Sequence, residues 1–425
     1  MFNFRSSATL LCTALAISAC TTITPSEEAI TSRPDLFDAQ QLTTFLTSAV
    51  EDNRTVGASV LIYVDGQEAY FGAAGLADRE ARTAMRRSTL SNIYSMTKPV
   101  TGVTLMTLYE DGLFDLEDPL SDYLPEFKDM QVMTGVDLEG EMVLEPASRP
   151  IKIIDLMRHS SGFGYGWQDS PIADAYNEHG LLDPGSTLES FSQDLSELPL
   201  FFQPGTRWHY SVSVDVQARL AEVIGGKPFA QLVEERVLSP LGMTETSYHA
   251  PNNQKHRVSA VYLRGEDGAL KREPDKQVYG FWTEKPSFTP GGHGLVSTLD
   301  DYMTFALMLQ NEGSYNGTEI LTPETIALMA KDHLPDDVVD TSWLTTKGQV
   351  GFGLNFAVRV APPESPRENK GSVGEFFWDG RATTLFWVDP EEELTAVFFT
   401  QVVPFDTDLI RDLRKAVYAG LKSPE

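Results

Sequence analysis

Cysteine is nearly absent from this chain of 425 residues, which has only Cys12 and Cys20. From residue 21 onward the sequence therefore offers neither a disulfide nor a thiol nucleophile. A domain without disulfides depends on its apolar core for stability. With 41 % hydrophobic residues, a chain of this length has enough material for a large one.

Positive charge is also scarce. Lysine and arginine together number 33, against 61 aspartates and glutamates, and the formal net charge is −28. A nucleic-acid partner needs a basic surface, and so does docking by charge on an anionic membrane, so the composition argues against both. The acidic residues are spread along the chain without an acidic tail, which favours the simpler interpretation of solubility.

Several motifs of known enzyme classes are missing. No G-x-S-x-G elbow occurs, which disfavours a standard α/β-hydrolase. No H-E-x-x-H or P-loop occurs, and the seven histidines lack metal-ligand spacing. The sequence therefore implies no metal and no cofactor, and we interpret His159 and His293 as structural residues.

The longest apolar run at the N-terminus, Ala8 to Ile17, is too short to span a bilayer. Together with Arg5 before it, this run predicts a signal peptide over residues 1–19. The run ends in Ile17-Ser18-Ala19-Cys20, which resembles the lipobox of bacterial lipoproteins. The resemblance implies cleavage before Cys20, a lipid anchor on that cysteine, and a location in the periplasm or cell envelope. Residues 20–37 then form a polar tether, and ordinary signal cleavage near Ala19 is the alternative.

The lipid anchor gives a first testable prediction. Cys20→Ala is expected to leave the protein unprocessed or soluble, because the lipid chains, rather than a transmembrane helix, would hold it at the membrane. Fractionation of cells and the mass of the mature N-terminus measure this. A variant that is processed and membrane-bound as before would refute the anchor.

Strand signals lie at both ends of the chain and helical signals in the middle. Asp65-Gly66 between two apolar runs predicts a hairpin, and Pro390 lies in the connection of a second one. We expect an α+β fold in which N- and C-terminal segments form one antiparallel sheet, flanked by helices, with a mainly helical lobe inserted. The expected elements are helices at 38–51, 95–112, 213–224 and 408–421, strands at 56–64, 67–72, 384–388 and 394–401, an α/β lobe at about 38–90 and 290–422, and a helical lobe at about 91–289.

Ser95-Met96-Thr97-Lys98 is a candidate nucleophile with its base. A lysine three residues after a serine lies on the same helical face, within reach of the hydroxyl. A partly buried lysine has a lowered pKa and can accept a proton. The start of a helix also favours developing negative charge. The spacing alone fits a capping serine and a solvated lysine better than a catalytic pair, so the assignment depends on the rest of the sequence.

Six segments, taken in order, resemble the serine β-lactamase and penicillin-binding superfamily. The likeness runs from about Ala39 to Leu421 and is strongest to class C β-lactamases and family VIII carboxylesterases. The segments that carry it are SMTK at 95–98, LMRHSSGFGYG at 156–166, QPGTRWHYS at 203–211, PLGM at 240–243, GGHGLVSTLDDY at 291–302 and GEFFWDGRATTLFWVDP at 374–390. The resemblance implies a β-lactamase/transpeptidase-like fold.

The same resemblance implies a role for each matching residue. Ser95 would be the nucleophile, Lys98 its partner, and Tyr210 the general base and then acid, with its pKa lowered by nearby cations such as Lys98. Trp378-Asp379-Gly380 would be the third motif, a strand beside the nucleophile. The backbone N–H groups of Ser95 and Arg381 would form the oxyanion hole.

Two departures from the family pattern bear on the substrate. Val212 stands where β-lactamases have an amide-binding asparagine, and Trp378 stands where they have a carboxylate-binding lysine. Both changes favour neutral esters. Asp379 and Arg381 point the same way on a strand, so they are expected to pair. Candidate walls of an apolar pocket, for which plain core packing is the alternative, are Tyr165, Trp167, Val212, Phe281, Trp282 and Phe377.

The sequence thus predicts a serine hydrolase that cleaves short-chain carboxylic esters through an acyl-enzyme. Within the enzyme class, a β-lactamase, a D-amino-acid peptidase or an acyltransferase stays open. From another class, a catalytically silent envelope lipoprotein that binds peptidoglycan or acyl ligands stays open, although an intact Ser95, Lys98 and Tyr210 argues against it.

Overall fold

The computed structural model describes residues 30–422 except 168, 275–284 and 339. The predicted signal peptide, the Cys20 anchor, and the pocket residues Phe281 and Trp282 lie outside the described residues and stay predictions. Within the described part, none of the helices is both long and apolar enough to cross a membrane.

Strands and helices are numbered here in chain order. The strands are β1 Ile30–Ser32, β2 Gly57–Val64, β3 Gln67–Asp78, β4 Thr83–Ala84, β5 Ser91–Asn92, β6 Gln131–Val136, β7 Met142–Pro146, β8 Tyr262–Arg264, β9 Leu270–Arg272, β10 Val296–Ser297, β11 Ser314–Tyr315, β12 Thr318–Glu319, β13 Val350–Phe352, β14 Ala357–Arg359, β15 Phe376–Gly380, β16 Thr384–Asp389, β17 Leu394–Thr400 and β18 Val402–Val403. The helices are α1 Gln40–Glu51, α2 Thr97–Glu110, α3 Ile153–Met157, α4 Pro171–Glu178, α5 Leu188–Ser196, α6 Ser213–Gly225, α7 Phe229–Val233, α8 Ser239–Leu241, α9 Leu299–Gln310, α10 Pro323–Met329 and α11 Thr407–Gly420.

One antiparallel sheet joins the two ends of the chain, which confirms the α+β prediction. Its strand order is β1-β3-β2-β17-β16-β15-β14-β13, with β4 beside β3. The central pairing is between β2 and β17, so that Val60 lies opposite Phe398. Both strands are buried over most of their length, because α1 and α11 pack together on the sheet and α9 packs on β17, β16 and β2. The predicted hairpins at Asp65-Gly66 and at 390–393 are both present.

The inserted lobe is mainly helical, and its contacts with the sheet position the site. Helix α2 packs against α6, and α3 also packs against α6. This contact brings residues 98 and 215 together, although 117 positions separate them in the sequence. The lobe also contains the β6–β7 hairpin, which was not predicted because its residues are largely exposed and lack a strong apolar alternation.

The last residues of the predicted tether belong to the fold. Strand β1 pairs with β3 at the edge of the sheet. Phe37 is fully buried and lies 5.8 Å from the ring of Tyr70, measured between ring centroids. Its ring also fills the space beside Gly420, where a Cβ would lie 2.4 Å from it. Apolar residues therefore dock residues 30–37 onto the sheet and shorten the predicted linker.

Candidate active site

Ser95 lies in a tight turn, Tyr94–Met96, that leads directly into α2. The turn is strained, because Tyr94 adopts a left-handed φ of 46°. Neighbouring elements hold it in place: the Tyr302 hydroxyl donates to the Met96 carbonyl at 2.7 Å, and the Thr384 hydroxyl donates to the Ile93 carbonyl at 3.4 Å. The predicted helix start is thus displaced by two residues, and Ser95 stays half-buried beside it.

Lys98 lies on the first turn of α2 and is 1 % exposed. Its Nζ donates to the Gly292 carbonyl at 2.8 Å and to the Tyr165 hydroxyl at 3.2 Å, and lies 3.4 Å from Ser95 Oγ. Burial disfavours the charged ammonium and lowers the pKa of Lys98 to about 7, against the attraction of Asp215 and Asp379. A lysine with this pKa is partly neutral at physiological pH and can take a proton from a hydroxyl.

Asp215 on α6 is the buried carboxylate behind Lys98. Its Oδ1 accepts the N–H of Gly292 at 2.9 Å, and its Oδ2 has no hydrogen-bond partner within the described part of the chain. A Cβ on Gly292 would lie 2.9 and 3.0 Å from the two carboxylate oxygens and 3.1 Å from Lys98 Nζ. A side chain at position 292 would therefore come between Asp215 and Lys98. Burial raises the pKa of Asp215 to about 6, against the pull of Lys98.

Tyr210 precedes α6 and lies against Lys98, whose Nζ is 4.6 Å from the centre of the Tyr210 ring. The rings of His159 and Trp378 pack on it, with centroids at 4.8 and 5.5 Å. Burial raises the pKa of Tyr210, and the hydrogen-bonding influence of the Ser95 side chain only partly offsets it. This differs from the lowered pKa expected from the sequence, because desolvation outweighs the hydrogen bonds that lower the pKa of Tyr210. Tyr210 is therefore a protonated phenol, suited to donate rather than to accept.

The Trp378-Asp379-Gly380 motif lies on β15, beside the turn that carries Ser95. A Cβ on Gly380 would lie 2.5 Å from the Ile93 carbonyl oxygen, so the end of this strand rests against the turn that carries Ser95. Trp378 packs on the Tyr210 ring, whereas Asp379 faces the adjoining cavity. Arg381 follows the end of this strand and lines the same cavity as Ser95.

Asp379 forms an ion pair with Lys347, a partner that was not predicted. Lys347 ends a short helical turn, Ser342–Lys347, and is almost fully buried. No spacing rule links residue 347 to residue 379, so the sequence held no signal for this pair.

The site opens into a cavity of about 930 Å³. Tyr165 stacks on Trp167 with ring centroids 4.4 Å apart, and Trp167 is 67 % exposed, which places it at the mouth. The residues predicted for the site that line this cavity are Ser95, Tyr165, Trp167, Tyr210, Val212, Phe377, Asp379 and Arg381. The structure thus brings together all of the described pocket residues.

Two histidines lie close to the cavity. His159 is buried beneath Tyr210, its Nδ1 is 3.2 Å from the Ser211 hydroxyl, and burial lowers its pKa far below the usual value. His293 lines the cavity, and burial lowers its pKa to about 3. Both are therefore neutral. Across the described ranges, no cluster of three or more His, Cys, Asp or Glu side chains could hold a metal ion.

Comparison with known proteins finds relatives that match nearly the whole chain. Residues 42–420 match the family model described as Beta-lactamase. Protein Rv1367c of Mycobacterium tuberculosis is 35 % identical over 366 residues, which cover 85 % of this chain and 88 % of that protein. Esterase EstB of Burkholderia gladioli is 27 % identical over 404 residues, which cover 90 % of this chain and 95 % of the esterase. Acyltransferase calJ of Penicillium decumbens is 27 % identical over 385 residues, covering 84 % of this chain and 88 % of that protein.

Solved structures give the same picture. EstCE1, described as a hydrolase with promiscuous acyltransferase activity, superposes with a TM-score of 0.74 at 25 % identity, covering 89 % of this chain and 98 % of that one. Simvastatin synthase (LovD) from Aspergillus terreus superposes with a TM-score of 0.77 at 23 % identity, covering 92 % and 99 %. At that identity the second likeness concerns the fold alone.

Proposed function

The chain belongs to the beta-lactamase family and has its β-lactamase/transpeptidase-like fold, and we propose that it is a serine hydrolase that cleaves short-chain carboxylic esters through an acyl-enzyme. The family and its esterase and acyltransferase relatives indicate a hydrolase or an acyl-transferring enzyme. One observation carries the finer proposal. A buried lysine with a pKa of about 7 has its Nζ 3.4 Å from the hydroxyl of a serine that faces a cavity.

The proposed mechanism begins with neutral Lys98. Its Nζ takes the proton of Ser95 Oγ while that oxygen attacks the ester carbonyl. The carbonyl oxygen becomes an oxyanion, which the backbone N–H groups of Ser95 and Arg381 stabilise. Tyr210 donates its proton to the departing alcohol and recovers one from Lys98. Water then attacks the acyl-enzyme, and its proton passes through Tyr210 to Lys98. Lys98 returns a proton to Ser95 Oγ as the acid is released.

Acyl transfer is a second candidate, and the size of the cavity favours it. A volume of about 930 Å³ exceeds what a short acyl group needs and leaves room for an acceptor alcohol. Hydrolysis and transfer share the acyl-enzyme and differ only in whether water or an alcohol attacks it. The relatives named above include proteins of both kinds.

Hydrolysis of β-lactams or D-amino-acid peptides is a weaker candidate. Val212 has no amide to hold a substrate amide, and the indole of Trp378 carries no positive charge to form an ion pair with a carboxylate. A silent binding protein is weaker still, because a buried lysine beside a strained nucleophile turn is costly to maintain without a use for it.

Initial rates of the purified protein on 4-nitrophenyl butyrate and on a chromogenic cephalosporin test the proposal. We expect ester turnover that is at least about a hundredfold faster in kcat/KM than cephalosporin turnover, since two groups that would bind a β-lactam are missing. Addition of a short-chain alcohol should divert part of the product to a new ester if acyl transfer also occurs. Faster cephalosporin turnover, or the absence of turnover on both, would refute the esterase proposal.

The pH profile gives a separate prediction, because Lys98 must be neutral to accept a proton. The neutral fraction grows as pH rises through a pKa of about 7, so kcat/KM should rise through neutral pH and then level off. The negative charge of Asp215 raises the pKa of Lys98. Asp215→Asn should therefore move the rising limb to lower pH.

Measuring kcat/KM for 4-nitrophenyl butyrate from pH 5 to pH 9 tests this effect. Asp301→Asn, which alters a largely buried carboxylate that does not line the cavity, is the control and should leave the limb in place. If the rising limb of the pH profile stays in place or moves to higher pH in Asp215→Asn, the carboxylate of Asp215 does not raise the pKa of Lys98.

A further inference from the structure

The cavity beside Ser95 carries an ion pair that the proposed chemistry does not use. Lys347 and Asp379 both line the cavity wall, and their side chains are only 8 % and 14 % exposed. They come from different elements, the Ser342–Lys347 turn and strand β15. A pair so poorly solvated is not an ordinary surface salt bridge, whose net value is close to zero.

Aromatic rings enclose the lysine. Its Nζ lies 5.1 Å from the ring centre of Trp343, 5.2 Å from that of Trp378 and 5.0 Å from that of Phe405. Such rings stabilise a cation while they keep water away from it. The lysine is thus a poorly solvated positive charge whose carboxylate partner is Asp379.

The pair is also close to the reacting groups. The charge of Asp379 raises the pKa of both Lys98 and Tyr210. A substrate bound at Ser95 therefore lies within the electrostatic range of this carboxylate. The two opposite charges offset each other on this wall, so Lys347 is open to a substrate anion only when Asp379 does not pair with it.

We propose that Lys347 and Asp379 form a charge lock, a specificity-determining ion pair that closes the cavity to substrates carrying a carboxylate near the scissile bond. The inference rests on the proposed esterase function and adds the substrate class, namely esters that are uncharged around the scissile bond. Lys347 would otherwise be a binding site for a carboxylate, and Asp379 occupies that site from within the protein.

The energetic reason is the difference between a charged and a neutral ligand. A substrate carboxylate must displace Asp379 from Lys347 and leave one of two negative charges unpaired in a dry wall. A neutral ester disturbs neither group. Like charges forced together at a desolvated site are strongly disfavoured, which suffices for discrimination of roughly tenfold or more.

Asp379→Asn should unlock the lysine while it keeps the size of the side chain. The readout is the ratio of kcat/KM values for two ester classes: 4-nitrophenyl butyrate as the neutral ester, and mono-4-nitrophenyl glutarate and 4-carboxyphenyl butyrate as the anionic esters. We expect the ratio of anionic to neutral turnover to rise by about tenfold or more for at least one anionic ester in Asp379→Asn. The double variant Lys347→Met with Asp379→Asn should show no such rise, because it removes the cation as well.

Asp183→Asn is the matched control, since Asp183 also lines the cavity and its replacement changes the net charge equally. It should leave the ratio unchanged. An unchanged ratio in Asp379→Asn, or an equal rise in the double variant or in the control, would overturn the charge lock.

A binding measurement separates this inference from the proposed function. Protection of Ser95 from a fluorophosphonate probe by 4-phenylbutyrate, compared with 4-phenylbutanol, needs no ester turnover. Asp379→Asn should strengthen protection by the carboxylate about tenfold and leave that by the alcohol unchanged. If wild type hydrolyses no ester but this shift in protection is seen, the proposed esterase function is refuted and the charge lock is supported. If wild type hydrolyses esters but Asp379→Asn shows no shift in protection, only the charge lock is refuted.

Discussion

Ser95→Ala is expected to lower kcat/KM for 4-nitrophenyl butyrate by about 10⁴-fold or more. Removing the nucleophile of an acyl-enzyme mechanism leaves only binding and oxyanion stabilisation, and losses of this size or larger follow. The fold should persist, because Ser95 lies half-buried in a turn that Tyr302 and Thr384 hold through backbone carbonyls of neighbouring residues. Thermal unfolding of the variant checks this.

Covalent labelling makes the prediction specific to this serine. A fluorophosphonate probe should add to wild-type protein at Ser95, as located by peptide mass, and should not add to Ser95→Ala. Ser196→Ala, on α5 and outside the cavity lining, serves as the control and should keep both activity and labelling. Activity that survives in Ser95→Ala would mean that another group attacks the ester.

The parts of the site that follow from short spacing could be predicted from the sequence. Lys98 lies three residues after Ser95, so the start of one helix suffices to bring them together. Likewise, hairpin signals around Asp65-Gly66 and Pro390 identify two strand pairs of the sheet, β2–β3 and β16–β17, because turn chemistry is local. In each case the information lies within a few residues.

The parts that depend on long-range packing could not be predicted. Asp215 faces Lys98 only because α6 packs on α2 and because Gly292 leaves a gap between them. Lys347 reaches Asp379 across 32 positions through a turn with no sequence signature. The burial of Tyr210 also depends on residues far apart in the sequence. The sequence therefore could not show that burial raises the pKa of Tyr210.

The raised pKa of Tyr210 favours a phenol that donates a proton over a phenolate that accepts one. In the proposed mechanism, a phenol that stays protonated donates to the leaving alcohol, and Lys98, with its pKa of about 7, takes the first proton. The need for a proton from Tyr210 depends on the leaving group. An alkoxide must be protonated as it departs, whereas 4-nitrophenolate is stable enough to depart unprotonated.

Tyr210→Phe is therefore expected to affect two esters unequally. For ethyl butyrate, whose ethoxide needs a proton, kcat/KM, which reports the acylation step alone, should fall by roughly 10²- to 10⁴-fold. For 4-nitrophenyl butyrate the loss should be smaller by about tenfold or more, since the acid contributes little there. Release of butyric acid from both esters, followed at constant pH by titration, measures the two losses on one scale.

Tyr176→Phe is the matched control for Tyr210→Phe. Tyr176 also lines the cavity, and its hydroxyl donates to the Pro199 carbonyl at 3.1 Å, away from Ser95. It should change neither ester by more than about twofold, because the hydrogen bond that it loses contributes to stability and not to the chemistry. Equal losses for both esters in Tyr210→Phe would assign Tyr210 to the attack on the carbonyl instead. Since Lys98 takes that proton in the mechanism above, such a result would require the two residues to exchange roles.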